Sequence, residues 1–134
     1  MYLALLKEIE KEAFLGMAYH LTVADGTYSE SEKNMMNGYC QELQYSFDEE
    51  TKVKPIDTLI QFISLNSDEK VKKIFIFELI GLALSDGNYD VSEKAIINKM
   101  ADSFNIKSDF VVNCEQMINQ YIDFQYKMNQ LILE

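Results

Sequence analysis

The chain has 134 residues, 48% of them apolar, with 22 Asp and Glu against 12 Lys and Arg. This suits one ordinary domain, residues 1–134, with enough apolar side chains for a core that needs neither disulfides nor a structural metal. The net charge of -10 repels phosphate backbones and anionic lipid, which sets nucleic acid aside as a partner and favours cations or a basic protein surface.

The N-terminal stretch M-Y-L-A-L-L-K-E-I-E has no basic n-region and soon turns acidic, unlike a signal peptide. The expected location is therefore cytoplasmic. Leu6, Ile9, Ala13, Met17, Leu21 and Ala24 recur at steps of three and four, which predicts a first helix with one buried stripe that ends at Gly26. Ser29-x-x-Glu32 is a capping box for a second helix through Met35, Met36, Tyr39, Cys40 and Leu43. The polar segment Y-S-F-D-E-E-T-K-V-K-P breaks the period, and Pro55 suits the first turn of a third helix through Ile56, Leu59, Ile60 and Ile63.

Ser67 and Asp68 can cap a fourth helix running to Leu84. Its apolar run I-F-I-F-E-L-I-G-L-A-L is too short for a span of about 20 residues and is interrupted by Glu78, so direct membrane insertion is not expected. Asp90-x-x-Glu93 caps a fifth helix through Ile96, Ile97, Met100 and Phe104, and Ser108 opens a long last one. That helix carries Val111, Cys114, Met117, Ile118, Tyr121, Phe124 and Met128, and apolar residues spread round much of its surface. It is either a buried helix or a homodimer face, and the pattern alone leaves both open. No window alternates at period two, so the fold class is all-α, a bundle of about six or seven helices. Cys40 and Cys114 are far apart and in no C-x-x-C pair, and read as core thiols.

One feature is repeated. With an offset of 61 residues, D-G-T-Y-S-E-S-E-K from Asp25 lies over D-G-N-Y-D-V-S-E-K from Asp86, with six of nine positions identical. Phe14 then lies over Phe75 and Leu21 over Leu82, while Met35 and Met36 lie over Ile96 and Ile97. The expected unit is helix, Asp-Gly loop, helix, with halves at about 8–46 and 68–106 and a connector with the third helix at about 47–66. D-G-x-Y-x-x-x-E is also the second half of an EF-hand loop. In that register the first and third ligand positions are Leu21 and Val23, or Leu82 and Leu84. A hard cation needs about six to eight oxygens, so a standard EF-hand is rejected.

The stretches A-Y-H-L-T-V-A-D-G-T-Y-S-E-S-E-K and L-I-G-L-A-L-S-D-G-N-Y-D-V-S-E-K resemble the signature of the TerB-like family of tellurite-resistance-associated proteins. The resemblance implies a helical bundle over essentially the whole chain, no established enzymatic reaction, and stress-response or membrane-associated assemblies in bacteria. It also implies a divalent cation, calcium or magnesium, at Asp25, Glu32, Asp86 and Glu93. Ser85 stands where the family has Ala, and Asp90-Val91 replaces Ser29-Glu30 in the second copy, which weakens any two-site symmetry.

The same acids have a purely structural use. An Asp before Gly bonds turn amides, and Glu32 and Glu93 are the third residues of capping boxes. What caps do not require is the extra charge of Glu30 and Asp90 beside them. His20 is the single histidine, with no second ligand at metal spacing, and reads as a solvated or partly packed side chain. Glu78 is expected at the solvent edge of its stripe, with a buried carboxylate as the competing reading. The common phosphate-loop, nucleophile-elbow and zinc-protease signatures do not occur. These readings combine into a non-catalytic adaptor with a protein partner, regulated by or stabilised through a divalent cation. The alternatives are a metal-independent interaction module and a carboxylate–metal enzyme.

Overall fold

The computed structural model describes residues 1–24, 26, 28–47, 53–85, 87 and 89–134. A short 3-10 helix, Leu3–Leu5, precedes α1 (Glu8–Thr22), α2 (Glu30–Leu43), α3 (Ile56–Asn66), α4 (Glu69–Leu84), α5 (Val91–Ser103) and α6 (Ser108–Leu133). No strand occurs among the described residues. The all-α reading holds.

Local chemistry sets where these helices start. The Ser29 hydroxyl accepts from the Glu32 amide at 3.1 Å while the Glu32 carboxylate accepts from the Ser29 amide at 2.9 Å. Asp90 and Glu93 do the same for α5 at 2.9 and 3.2 Å, and Asp68 caps α4 through the Val71 amide at 2.9 Å. Each bond satisfies an amide that the first helical turn leaves without a partner. Pro55 sits one residue before α3, in extended backbone, rather than inside its first turn, and Ser108 is the first helical residue of α6 with Lys107 before it. Gly26 and Gly87, with φ of +85° and +77°, lie in the left-handed region that follows α1 and α4.

One start was missed. The Glu10 carboxylate accepts from the Lys7 amide at 2.8 Å, and its other oxygen accepts from the Ser67 hydroxyl at 2.7 Å. Ser67 thus ties the end of α3 to the start of α1, while Asp68 alone caps α4. Because α1 begins only at Glu8, Leu6 is buried from the turn before it, and Ile9 leaves the predicted stripe while Ala13, Met17 and Leu21 keep to it. Ile9 is 57% exposed, whereas Glu10, Ala13, Phe14, Met17 and Leu21 face inward.

α1 and α4 form the centre. α1 packs on α2, α3 and α4, and α4 packs on α1, α5, α6 and the 3-10 helix, while α3 bridges to α5. The fully buried rings of Phe14 and Phe75, aligned by the sequence offset, meet edge to face at 5.4 Å, and Tyr39 meets Phe14 at 5.2 Å. Gly16 allows α3 to come close: a Cβ there would lie 2.8 Å from Leu59 Cδ1. Replacing Phe75 by Ala should cost about 3 to 5 kcal/mol, measured by urea unfolding, because the ring lies where two central helices meet.

Candidate functional site

Around the two Asp-Gly loops several described residues make matching local contacts. Gly26 donates to the Val23 carbonyl at 3.0 Å, and Gly87 donates to the Leu84 carbonyl at 3.1 Å. Lys33 lies 5.6 Å from the centre of the Tyr28 ring, and Lys94 lies 5.2 Å from that of Tyr89, a cation–π contact in both copies. Most of the repeated letters therefore have a local use: glycine for the left-handed turn, glutamate for the cap, tyrosine and lysine for the stacked pair. The surroundings differ. Tyr28 packs edge to face on Tyr19 at 5.6 Å, whereas burial and the carboxylates of Glu115 and Glu93 push the Tyr89 phenol well above its ordinary range.

Of the four predicted ligands, Glu32 and Glu93 are buried and both accept a backbone amide of their own helix start. Asp25 and Asp86 lie outside the described residues. The extra acids are also accounted for. Glu30 is exposed and sits 3.7 Å from Lys33. Asp90 is the cap itself, and hydrogen bonds from the Ser92 hydroxyl and the Glu93 amide lower its pKa. Among the described residues no three His, Cys, Asp or Glu side chains are grouped to hold a metal. The described residues do not by themselves supply the six to eight oxygens that a hard cation takes. His20 is half-buried, with Nε2 2.7 Å from the Lys54 carbonyl oxygen, as a partly packed side chain.

Glu78 departs from expectation. It is 7% exposed, and its Oε1 accepts from the Met1 amine at 2.8 Å and the Tyr2 amide at 2.7 Å. A lone charge in an apolar run signalled a buried partner, but one 77 residues away in sequence leaves no local trace. Desolvation pulls the Met1 amine down, and the hydrogen bond and charge of Glu78 with the charge of Glu42 outweigh it, so its pKa is raised above 8.0. This pairing floors a groove of about 700 Å³ walled by Tyr2, Met35, Phe77, Met117 and Tyr121.

The groove leads onto α6, whose exposure answers one half of the question about the last helix. Val111, Cys114 and Ile118 are buried, and every residue from 119 to 134 is exposed. Met117 is 65% exposed, Phe124 60% and Leu131 81%. α6 is not a buried helix beyond its first three turns.

Structural comparison finds one crystal structure of similar fold, a tellurite resistance protein from Nostoc punctiforme. It has a TM-score of 0.67 and covers 96% of this chain and 84% of its own. This chain has a TerB-like fold. At 22% identity the likeness is one of fold. No family model matches the chain, and no curated protein matches it.

Replacing Ser29 or Glu32 by Ala should lower stability by about 1 kcal/mol each. Thermal unfolding would show this as a drop of about 3 to 5 °C at this chain length. The contribution of Asp90, whose folded pKa is depressed below 3.8, should be present above that value and lost as pH falls through the folded one. The Met1 amine gives the opposite sign: its contribution is complete below pH 8.0 and lost as pH rises through the raised value. Glu78→Gln should therefore flatten the alkaline side of a stability-against-pH curve just above that point, as followed by urea unfolding.

Proposed function

We propose that this chain is a non-catalytic helical docking module and that α6 is its docking element, presented to an apolar helical surface of another polypeptide. The observation that carries this is α6 itself. At 1.5 Å per residue its 26 residues extend about 39 Å, and its second half makes no contribution to the buried core while carrying Tyr121, Phe124, Met128 and Leu131. Contiguous exposed apolar surface of this kind marks an interaction site. The non-catalytic reading is supported by the use made of the buried acids Glu10, Glu32, Glu78 and Glu93, each of which accepts a backbone amide. Among the described residues no helix is long and apolar enough to cross a membrane, which fits docking to protein. The name of the structural neighbour, a tellurite resistance protein, supports placing the module in a bacterial stress-response assembly.

The double substitution Phe124→Glu with Leu131→Glu tests this. In dilute protein it should change unfolding free energy by less than about 0.5 kcal/mol, as surface changes do, while abolishing binding of an apolar fluorescent dye. Destabilisation of about 2 kcal/mol or more would mean that these side chains belong to the fold, contradicting the docking reading.

A second reading gives the loops a divalent cation, calcium or magnesium, at Asp25, Glu32, Asp86 and Glu93. It is supported by the recurrence of a left-handed glycine and a buried glutamate in both copies. Demetallated protein should then gain roughly 2.7 kcal/mol at about 100 times the dissociation constant, a gain that Asp25→Asn or Asp86→Asn removes. If no ion among calcium, magnesium, manganese and zinc moves the unfolding midpoint, the repeated acids are caps only.

A further inference from the structure

The apolar positions of α6 fall into a second pattern beside the one that packs on the bundle. The bundle takes Val111, Cys114 and Ile118. Met117, Tyr121, Phe124, Met128 and Leu131 follow one another at alternating steps of four and three. That is the a/d repeat by which two like helices interlock. On a helical wheel this seam lies about a quarter-turn from the bundle-facing side. The seam therefore lies beside the bundle-facing side, with Met117 and Tyr121 at the groove and Phe124, Met128 and Leu131 outside its lining.

We propose that this seam pairs antiparallel with the seam of a second copy of the chain, forming a two-fold dimer. The inference rests on the reading of α6 as the docking element and names what docks there.

Two observations select a second copy, and a third sets how it pairs. Taking roughly 200 Å² for a large side chain, the exposures of the five seam residues leave on the order of 600 Å² of apolar surface on each copy. A stable interface needs about 800 Å² per partner, so pairing the seams, with their polar flanks, supplies it. Next is charge. The chain carries -10 overall, yet from residue 119 to 134 its charged side chains are Asp123, Lys127 and Glu134. Asp123 and Lys127 pair with each other at 2.9 Å, and none of the three lies on the seam. Two strongly acidic molecules can meet along this strip without setting like charges face to face.

The third observation fixes direction. A parallel pair would hold two acidic bundles side by side, whereas an antiparallel pair places them at opposite ends. The register that matches a to d positions sets Tyr121 against Phe124 of the second copy and Met117 against Met128. This gives aromatic contacts at the centre and methionines outside them. A two-fold axis makes both contacts occur twice.

Sedimentation equilibrium over a range of protein concentrations tests the proposal. The mass should rise from 15.5 kDa towards twice that value, and Phe124→Glu or Met128→Glu, made separately, should hold it at the lower figure. Leu65→Glu, at an exposed position on α3, should leave the association unchanged. Direction is read by disulfide trapping in a Cys40→Ser background. Cys114 can remain, since burial pushes its thiol up to about 11. A mixture of Tyr121→Cys and Phe124→Cys chains should cross-link, and each alone should do so poorly.

A chain that stays at 15.5 kDa throughout would overturn the dimer, as would association untouched by Phe124→Glu and Met128→Glu. Cross-linking of the single variants in preference to the mixture would overturn the antiparallel arrangement. These failures are distinguishable from failure of the docking reading itself. A monomer whose stability Phe124→Glu leaves unchanged still has a free α6, whereas a monomer that loses stability on that substitution has α6 packed on its own bundle.

Discussion

The contact between α1 and α4 is the constraint from which the remainder of the architecture follows. Both helices are buried around most of their circumference, from Ala13 to Ala18 in one and Ile74 to Leu84 in the other. Such helices must be covered on every side. α2 and α3 cover α1, α5 and the first turns of α6 cover α4, and the Phe14–Phe75 contact joins the two at the centre. The first half of α6 covers α4, and beyond Ile118 no residue of the helix is buried.

Four glutamates among the described residues lie where water does not reach. The solution is the same at each. Glu10, Glu32 and Glu93 accept amides at the starts of α1, α2 and α5, and Glu78 accepts the Tyr2 amide at the entry to the 3-10 helix. Removing such a charge from water is costly unless it is hydrogen-bonded, and the orphan amides of a helix start need acceptors. Each cost offsets the other. This explains why acids recur beside the Asp-Gly loops without requiring an ion, and it makes the cation reading a question about Asp25 and Asp86 specifically.

Much of this was legible in the sequence where the signal is local. The capping boxes at Ser29 and Asp90, the glycines after α1 and α4, and the helix assignments all depend on residues within a few positions of one another. The differences arise at a helix start and at contacts that cross the fold. Ile9 was placed in the core because the stripe was phased from Leu6, which lies before the helix begins. Glu78 was placed at the surface because its partners sit at the other end of the chain. The last helix was ambiguous because hydrophobic periodicity records that a face avoids water, not which surface covers it. Of the predicted site, Glu32 and Glu93 are placed by the structure as caps, while Asp25 and Asp86 lie outside the described residues.

α6 has two faces, one that closes the bundle and one held outside it. An isolated helical segment of about fifteen residues is marginal in water, so the second half of α6 depends on what it meets. Hydrogen exchange across residues 108–133, followed from dilute to concentrated protein, tests this most directly. The prediction is slow exchange at Val111 to Ile118 at every concentration, and exchange at 121–133 that is fast when dilute and slows with concentration. Core-like protection of 121–133 in the most dilute sample would contradict the account, because that half would then be held by its own bundle.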